Sequence, residues 1–187
     1  MESKTTYFDR PGPENTDAVF EIVRKRAADL GIDTVLVAST VGGTAVKAVN
    51  ALKGLKVVIV THNSGFKEPN TQEFTEEARR TCVAAGAKIL TTTHAFAGVD
   101  RAMRKQFNTY MLGETIANTL RVFGQGTKVC CEIALMAADA GLARTGTEVI
   151  AVGGTGRGAD TAIVLSPVNA DEFFNLKVKE ILCKPRL

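Results

Sequence analysis

Two kinds of hydrophobic pattern alternate along the chain. Short apolar runs, Val35-Leu36-Val37-Ala38, Lys56-Val57-Val58-Ile59-Val60-Thr61, Ala87-Lys88-Ile89-Leu90, Glu148-Val149-Ile150-Ala151-Val152 and Thr161-Ala162-Ile163-Val164-Leu165, read as strands, the second being the continuous kind expected for a strand buried on both faces. Between them apolar positions recur every three or four residues, the spacing of a helix with one buried stripe. Val19, Ile22, Val23, Ala27 and Leu30 form one such stripe, with Asn15 or Thr16 as a cap and Gly31 as its stop. Ala45, Val46, Val49 and Leu52 form a second, ending near Gly54. Phe74, Ala78, Cys82 and Ala85 form a third, opened by Asn70 and Glu73 as a variant capping box and closed by Gly86.

Residues 95–141 read as helical throughout, with stripes Met103/Phe107/Met111, Ile116/Leu120/Phe123 and Val129/Ile133/Ala137/Ala140. Breaks at Gly113 and at Gly124-Gln125-Gly126 divide this segment into two or three helices, and Met103 and Met111 are assigned to the core. The polar first 13 residues read as an irregular arm or a short edge segment, and Leu176-Lys177-Val178-Lys179 as a last alternating strand. The pattern predicts one three-layer α/β/α domain over residues 1–187 with a mainly parallel sheet; an antiparallel C-terminal hairpin, and the reading of about 95–141 as a helical insertion, are added by the family resemblance described below.

Four of these strands end in small polar clusters. In a parallel sheet those ends share one edge, which is where open α/β sheets bind ligands. The clusters are Ser39, Thr40, Gly42, Gly43 and Thr44; Thr61, His62 and Asn63; Thr92, Thr93 and His94, followed by Phe96; and Gly153, Gly154, Thr155, Gly156, Arg157, Gly158 and Asp160. The first opens a helix, whose leading N–H groups and partial positive charge suit a phosphate. The last can form a nest of backbone N–H groups, with Arg157 for an anion and Asp160 for a ligand hydroxyl. His62 and His94 are the acid–base candidates.

Each feature also has a plain structural role open to it. Glycine turns join strands to helices, hydroxyls cap helices, histidines satisfy local hydrogen bonds and a loop arginine is solvated. The second glycine run leads into a strand rather than a helix and is not followed by Gly-Lys-Ser/Thr, so it is neither a dinucleotide fingerprint nor a P-loop.

Composition narrows the field further. The chain has 187 residues, 45% hydrophobic and 23% charged, with a formal net charge of +3. Its basic residues are dispersed, which excludes the stripe that nucleic-acid binding needs. No apolar run reaches membrane-spanning length, and the N-terminus lacks a signal-peptide core, so the expected location is the cytoplasm without membrane association. Cys82, Cys130, Cys131 and Cys183 show no ligand spacing and are expected as buried free thiols, with no metal site.

The two glycine turns carry a family resemblance. Ser39-Thr40-Val41-Gly42-Gly43-Thr44-Ala45 is similar to the effector loop of the pyruvate kinase C-terminal α/β domain, which runs from a strand through Thr/Ser, any residue, Ser, Gly, Arg, Ser/Thr and Ala into a helix. Ser39, Gly42, Thr44 and Ala45 fit; Val41 and Gly43 remove a hydroxyl and an arginine, which argues against a sugar bisphosphate effector. The run from Glu148 to Leu165 is similar to that domain's last hairpin.

The chain most resembles the stand-alone proteins that consist of this domain with a helical insertion, for which the resemblance implies bound flavin mononucleotide (FMN). Its phosphate is then expected at Thr40, Gly42, Gly43 and Thr44, with Phe96 or the insertion as a wall for the ring. The resemblance leaves no room for the catalytic barrel, so pyruvate kinase activity is not expected. The expected partner is thus a small phosphorylated ligand, with self-association left open. Two rival readings remain: an enzyme acting on a phosphorylated sugar through His62 or His94, and a metabolite-sensing module that contacts a partner, with Phe173-Phe174 as one candidate surface.

Overall fold

The β-branched, apolar runs form the centre of a seven-stranded sheet because their side chains are covered on both faces. In this computed structural model, which describes residues 2–186, the strands are β1 (Thr6–Phe8), β2 (Thr34–Ala38), β3 (Lys56–Val60), β4 (Lys88–Leu90), β5 (Val149–Gly153), β6 (Thr161–Ser166) and β7 (Lys177–Pro185). Their order is β1-β7-β6-β5-β2-β3-β4. Pairs β5/β2, β2/β3, β3/β4 and β1/β7 are parallel, while β6 runs antiparallel to both β5 and β7. The expected mainly parallel sheet and C-terminal hairpin are present. The N-terminal arm adds a short parallel edge strand.

Side chains of successive strand residues enter two separate cores, as a period of two requires. Val35, Val37, Val57, Ile59, Ile150 and Val152 pack against α1 (Thr16–Leu30), α2 (Gly43–Ala51) and α3 (Glu76–Ala84). Leu36, Val58, Val60, Val149, Ala151 and Ile163 pack on the other face against α6 (Gln125–Asp139). Outside α6 lie α5 (Leu112–Arg121) and then α4 (Val99–Phe107). The layers are therefore helix, sheet, helix, and α4 to α6 are the expected insertion.

Several local expectations fail. Helix α3 starts at Glu76, capped by the Thr75 hydroxyl, which accepts from the Ala78 N–H at 3.2 Å. Asn70 instead occupies a left-handed turn with φ 62°, and Glu73 faces a histidine. Asn15 does not cap α1, because its amide turns back to the Arg10 and Gly12 carbonyls. Ala85 is exposed at the α3 terminus.

The Met103/Phe107/Met111 stripe is not core. No residue of α4 is buried and Phe107 is 63% exposed, because α4 packs mainly on α5 at the rim rather than on the sheet. Phe123 is likewise exposed, whereas α6 is buried nearly all round.

Among the described residues no helix is long and apolar enough to cross a membrane. All four cysteines are free and buried, and burial pushes the Cys131 and Cys183 thiols up to about 11 and about 12. No cluster of metal-ligating side chains occurs among the described residues.

Candidate functional site

Because β5, β2, β3 and β4 are adjacent and parallel, their C-terminal ends stand side by side. The chain runs outward from β2 to β4 and then returns to place β5 on the other flank of β2, so the strand order reverses there. That reversal is where open α/β sheets leave a crevice. The crevice here is a cavity of about 840 Å³, roofed by α4 to α6. Of the residues singled out above, Ser39, Thr40, Gly43, Thr44, Thr61, His62, His94, Phe96, Gly154, Gly156, Arg157 and Gly158 line it. Gly42, Asn63, Thr92, Thr93, Gly153, Thr155 and Asp160 do not.

The turn after β2 is built to leave helix amides open. Ser39 is buried; its N–H continues the ladder to the Val60 carbonyl at 3.0 Å, and its hydroxyl accepts from the Ala45 N–H at 3.2 Å. Ser39 thus caps α2 from within the turn while also lining the cavity. The Val46 N–H is taken by the Gly42 carbonyl, while the N–H groups of Gly43 and Thr44 have no partner among the described residues. Gly42 is required at φ 113° because a Cβ there would lie 2.2 Å from the Ala78 Cβ, so the turn seats directly on α3.

The loop opposite is ordered by Asp160. Its carboxylate is fully buried and accepts from the Thr155 N–H at 3.0 Å and the Thr161 hydroxyl at 2.7 Å. Asp160 therefore shapes the loop and is spent before any ligand arrives. Gly158, at φ 73°, lets the loop press against Pro13, where a Cβ would lie 2.3 Å from the Pro13 Cα. Arg157 lines the cavity and has no carboxylate partner among the described residues.

The two histidines meet. Their ring centroids are 5.3 Å apart, and Phe66 lies 3.9 Å from His62 and 5.3 Å from His94. His62 Nδ1 lies 2.8 Å from Glu73 Oε2, and Lys67 reaches the other oxygen of the same carboxylate at 3.5 Å. The hydrogen bond to His62 holds the Glu73 carboxyl below its ordinary value. Burial pushes the His94 imidazole down, with Glu132 opposing and His62, Lys128 and Arg101 adding to the shift.

This depression has a definite sign. A histidine whose folded pKa lies below its ordinary 6.5 stabilises the fold above that pH, and the contribution is lost as pH falls toward the folded value. Urea unfolding of His94→Gln is therefore expected to lose less stability between about pH 6.5 and pH 5 than the parent does. An unchanged pH slope rejects this account.

Several lining groups were missed from sequence. Arg101, Arg104, Tyr110, Asn118 and Arg121 come from α4, α5 and their connection, and Lys128 and Glu132 from α6. Lys128 and Glu132 form an ion pair with only 9% and 5% of their side chains exposed. Glu132 Oε1 also accepts from the Phe96 N–H at 3.1 Å. The available signal was two charges, four apart, beside the apolar run Ile133-Ala134-Leu135-Met136-Ala137-Ala138 of the same helix. Glu73 had been read as a helix cap.

The pyruvate kinase alpha/beta domain family model matches residues 17–165. The chain belongs to this family. Among solved structures it is similar to Cryptosporidium parvum pyruvate kinase, at 13% identity over 85% of this chain and 23% of that one, with a TM-score of 0.41. It is also similar to the Cryptosporidium parvum enzyme in complex with ADP, at 13% identity over 89% and 23% of the two chains, with a TM-score of 0.39. The chain therefore spans about a quarter of the length of the pyruvate kinases it matches. The match to the alpha/beta domain includes both glycine loops and all three roofing helices, so the whole cavity apart from Pro13 and Thr16 lies inside it.

Proposed function

We propose that the cavity binds a phosphorylated, nucleotide-like ligand, and that the ligand is FMN. One observation carries this reading: one partly open cavity is lined both by Gly43 and Thr44, whose helix amides are open, and by aromatic and apolar side chains. Its volume of about 840 Å³ falls in the range of pockets that take cofactor-sized molecules. Gly43, Thr44 and Thr40 suit the phosphate, with Arg157 as a counter-charge, and Phe66, Phe96, Ile133 and Met136 offer apolar surface for a ring system. Arg101 and Arg121 add positive charge along the lining, whereas Arg104 is paired with Glu114 at 2.7 Å, Lys47 with Asp17 at 2.9 Å and Lys128 with Glu132. Bound flavin supplies hydride and electron transfer that the side chains here do not.

The test is direct. Purified protein is expected to release a compound with a flavin absorption spectrum, or to bind added FMN at micromolar concentration. Arg157→Ala is expected to weaken FMN about 10–100-fold while leaving riboflavin, which lacks the phosphate, unaffected. Failure of flavin both to copurify and to bind at micromolar concentration overturns the reading.

A second reading is favoured by the hydrogen bond between His62 and Glu73. On this reading the same pocket acts on a phosphorylated sugar, with a histidine as the acid–base group.

A further inference from the structure

His62 is held on several sides. Because Glu73 is ionised, its Oε2 only accepts, so His62 Nδ1 carries the proton of their 2.8 Å bond. Phe66 covers the ring, and Gln72 Nε2 donates to the His62 carbonyl at 2.9 Å. The other ring nitrogen, Nε2, is left with its lone pair, 3.5 Å from Thr40 Oγ1 at the edge of the cavity. A ring fixed in one tautomer by a carboxylate, with its free nitrogen beside a ligand pocket, has the form of a general base. Deeper in the pocket, His94 faces His62 edge-on. Beyond it, Lys128 is tethered by Glu132, and Glu132 is itself fixed by the Phe96 N–H.

We propose that this constellation catalyses proton transfer between adjacent carbons of a phosphorylated α-hydroxycarbonyl compound. His62 is the base, Glu73 its positioning residue, and His94 and Lys128 are the donors to the carbonyl oxygen. The proposal rests on the second reading of the site, in which the ligand is a phosphorylated sugar.

His62 Nε2 removes the proton from the hydroxyl-bearing carbon. The C–H electron pair becomes the carbon–carbon double bond of an enediolate, and the carbonyl π pair moves to oxygen, where the N–H groups of His94 and Lys128 donate. A neutral imidazole and a nearby ammonium are suited to that role, because both line the cavity and both carry N–H donors. The proton then returns to the former carbonyl carbon, and the remaining hydroxyl proton passes from one oxygen to the other. One C–H bond breaks and one forms, so the isomer has the same composition and oxidation level and no co-reactant is consumed. The unpaired Arg157 and the cationic rim select an anionic substrate.

The experiment follows exchange rather than product, so it registers proton transfer even when the isomers are at equilibrium. The full chain is incubated in D₂O with dihydroxyacetone phosphate, ribose 5-phosphate or fructose 6-phosphate. Proton NMR follows loss of the C–H signal next to the carbonyl, and ligand-observed saturation transfer reports binding. FMN titration is run alongside and reports the first reading independently.

At least one sugar phosphate is expected to bind and exchange. His62→Gln is expected to slow exchange about 100-fold or more at little change in KM. Glu73→Gln, the second variant should His62→Gln not fold, is expected to lower kcat at least about tenfold and to displace the pH profile, again with KM little changed. The groups that face this pair, and so share its pH profile, are Lys67 on the same loop, His94 after β4, Arg101 on α4 across Phe66, and Lys128 with Glu132 on α6.

Binding without exchange overturns the proposal and leaves the sugar-phosphate reading standing. Absence of binding by all three compounds overturns both. Exchange that persists in His62→Gln overturns the assignment of the base.

Discussion

Lys128→Met is expected to lower the unfolding free energy by about 3–5 kcal/mol, measured by urea denaturation at neutral pH. The physical reason is what remains. Glu132 would keep one oxygen on the Phe96 N–H, while its other oxygen would stay buried on α6 with its charge uncompensated. The double variant Lys128→Met with Glu132→Leu removes both charges and is expected to lie within about 1–3 kcal/mol of the parent, the residual cost being the unpaired Phe96 N–H. A double variant as unstable as the single one would show that the ion pair itself, rather than the stranded charge, carries the stability.

The second large effect is expected at the turn after β2. Gly42→Val should cost about 2–5 kcal/mol, combining strain of about 1–3 at φ 113° with overpacking of about 1–3 where its Cβ would meet the Ala78 Cβ at 2.2 Å. Adding Ala78→Gly removes the atom in the way and is expected to restore part of the loss, leaving the backbone strain in place. Gly43→Ala serves as the control. Gly43 has a negative φ and open space at its Cβ position, so its substitution should be tolerated. Equal damage at both positions, read from urea midpoints, would contradict this division.

These two sites also show where the chain could and could not be read in advance. The turn was legible because its cause is local. An apolar run that stops at hydroxyls and glycines has few conformations open to it, and parallel strands must bring such ends to one edge. That argument placed Thr40, Gly43, Thr44, His62, His94 and the Gly154–Gly158 loop around one cavity before any contact was known. It could not assign their individual tasks. Ser39 lines the cavity but also caps α2, and Asp160, expected to meet a ligand hydroxyl, lies outside the lining and orders its own loop. Both local tasks have one source, since a short polar side chain takes the nearest unsatisfied backbone N–H, and which one is nearest depends on how the turn folds.

The insertion was the least legible part. Its stripes specify helices, yet a stripe does not say what will cover it. The Met103/Phe107/Met111 pattern stays at the rim because α4 packs mainly on α5 rather than on the sheet, whereas α6 inserts between the sheet and α5 and is buried even on its charged side. Lys128 and Glu132 have the spacing of an ordinary exposed pair, and only the packing of α6 makes them part of a pocket's lining.

Local chemistry in the chain was therefore enough for the element types, the mainly parallel sheet, the hairpin and the edge at which a ligand site forms, because periodicity and turn residues act over a few positions. Folding in three dimensions chose the partners: Glu73 on His62, Lys128 with Glu132, and the arginines of α4 and α5 over the cavity. Those pairings depend on which side of the sheet each connection crosses and how deeply each helix seats, and no short stretch of sequence carries that information.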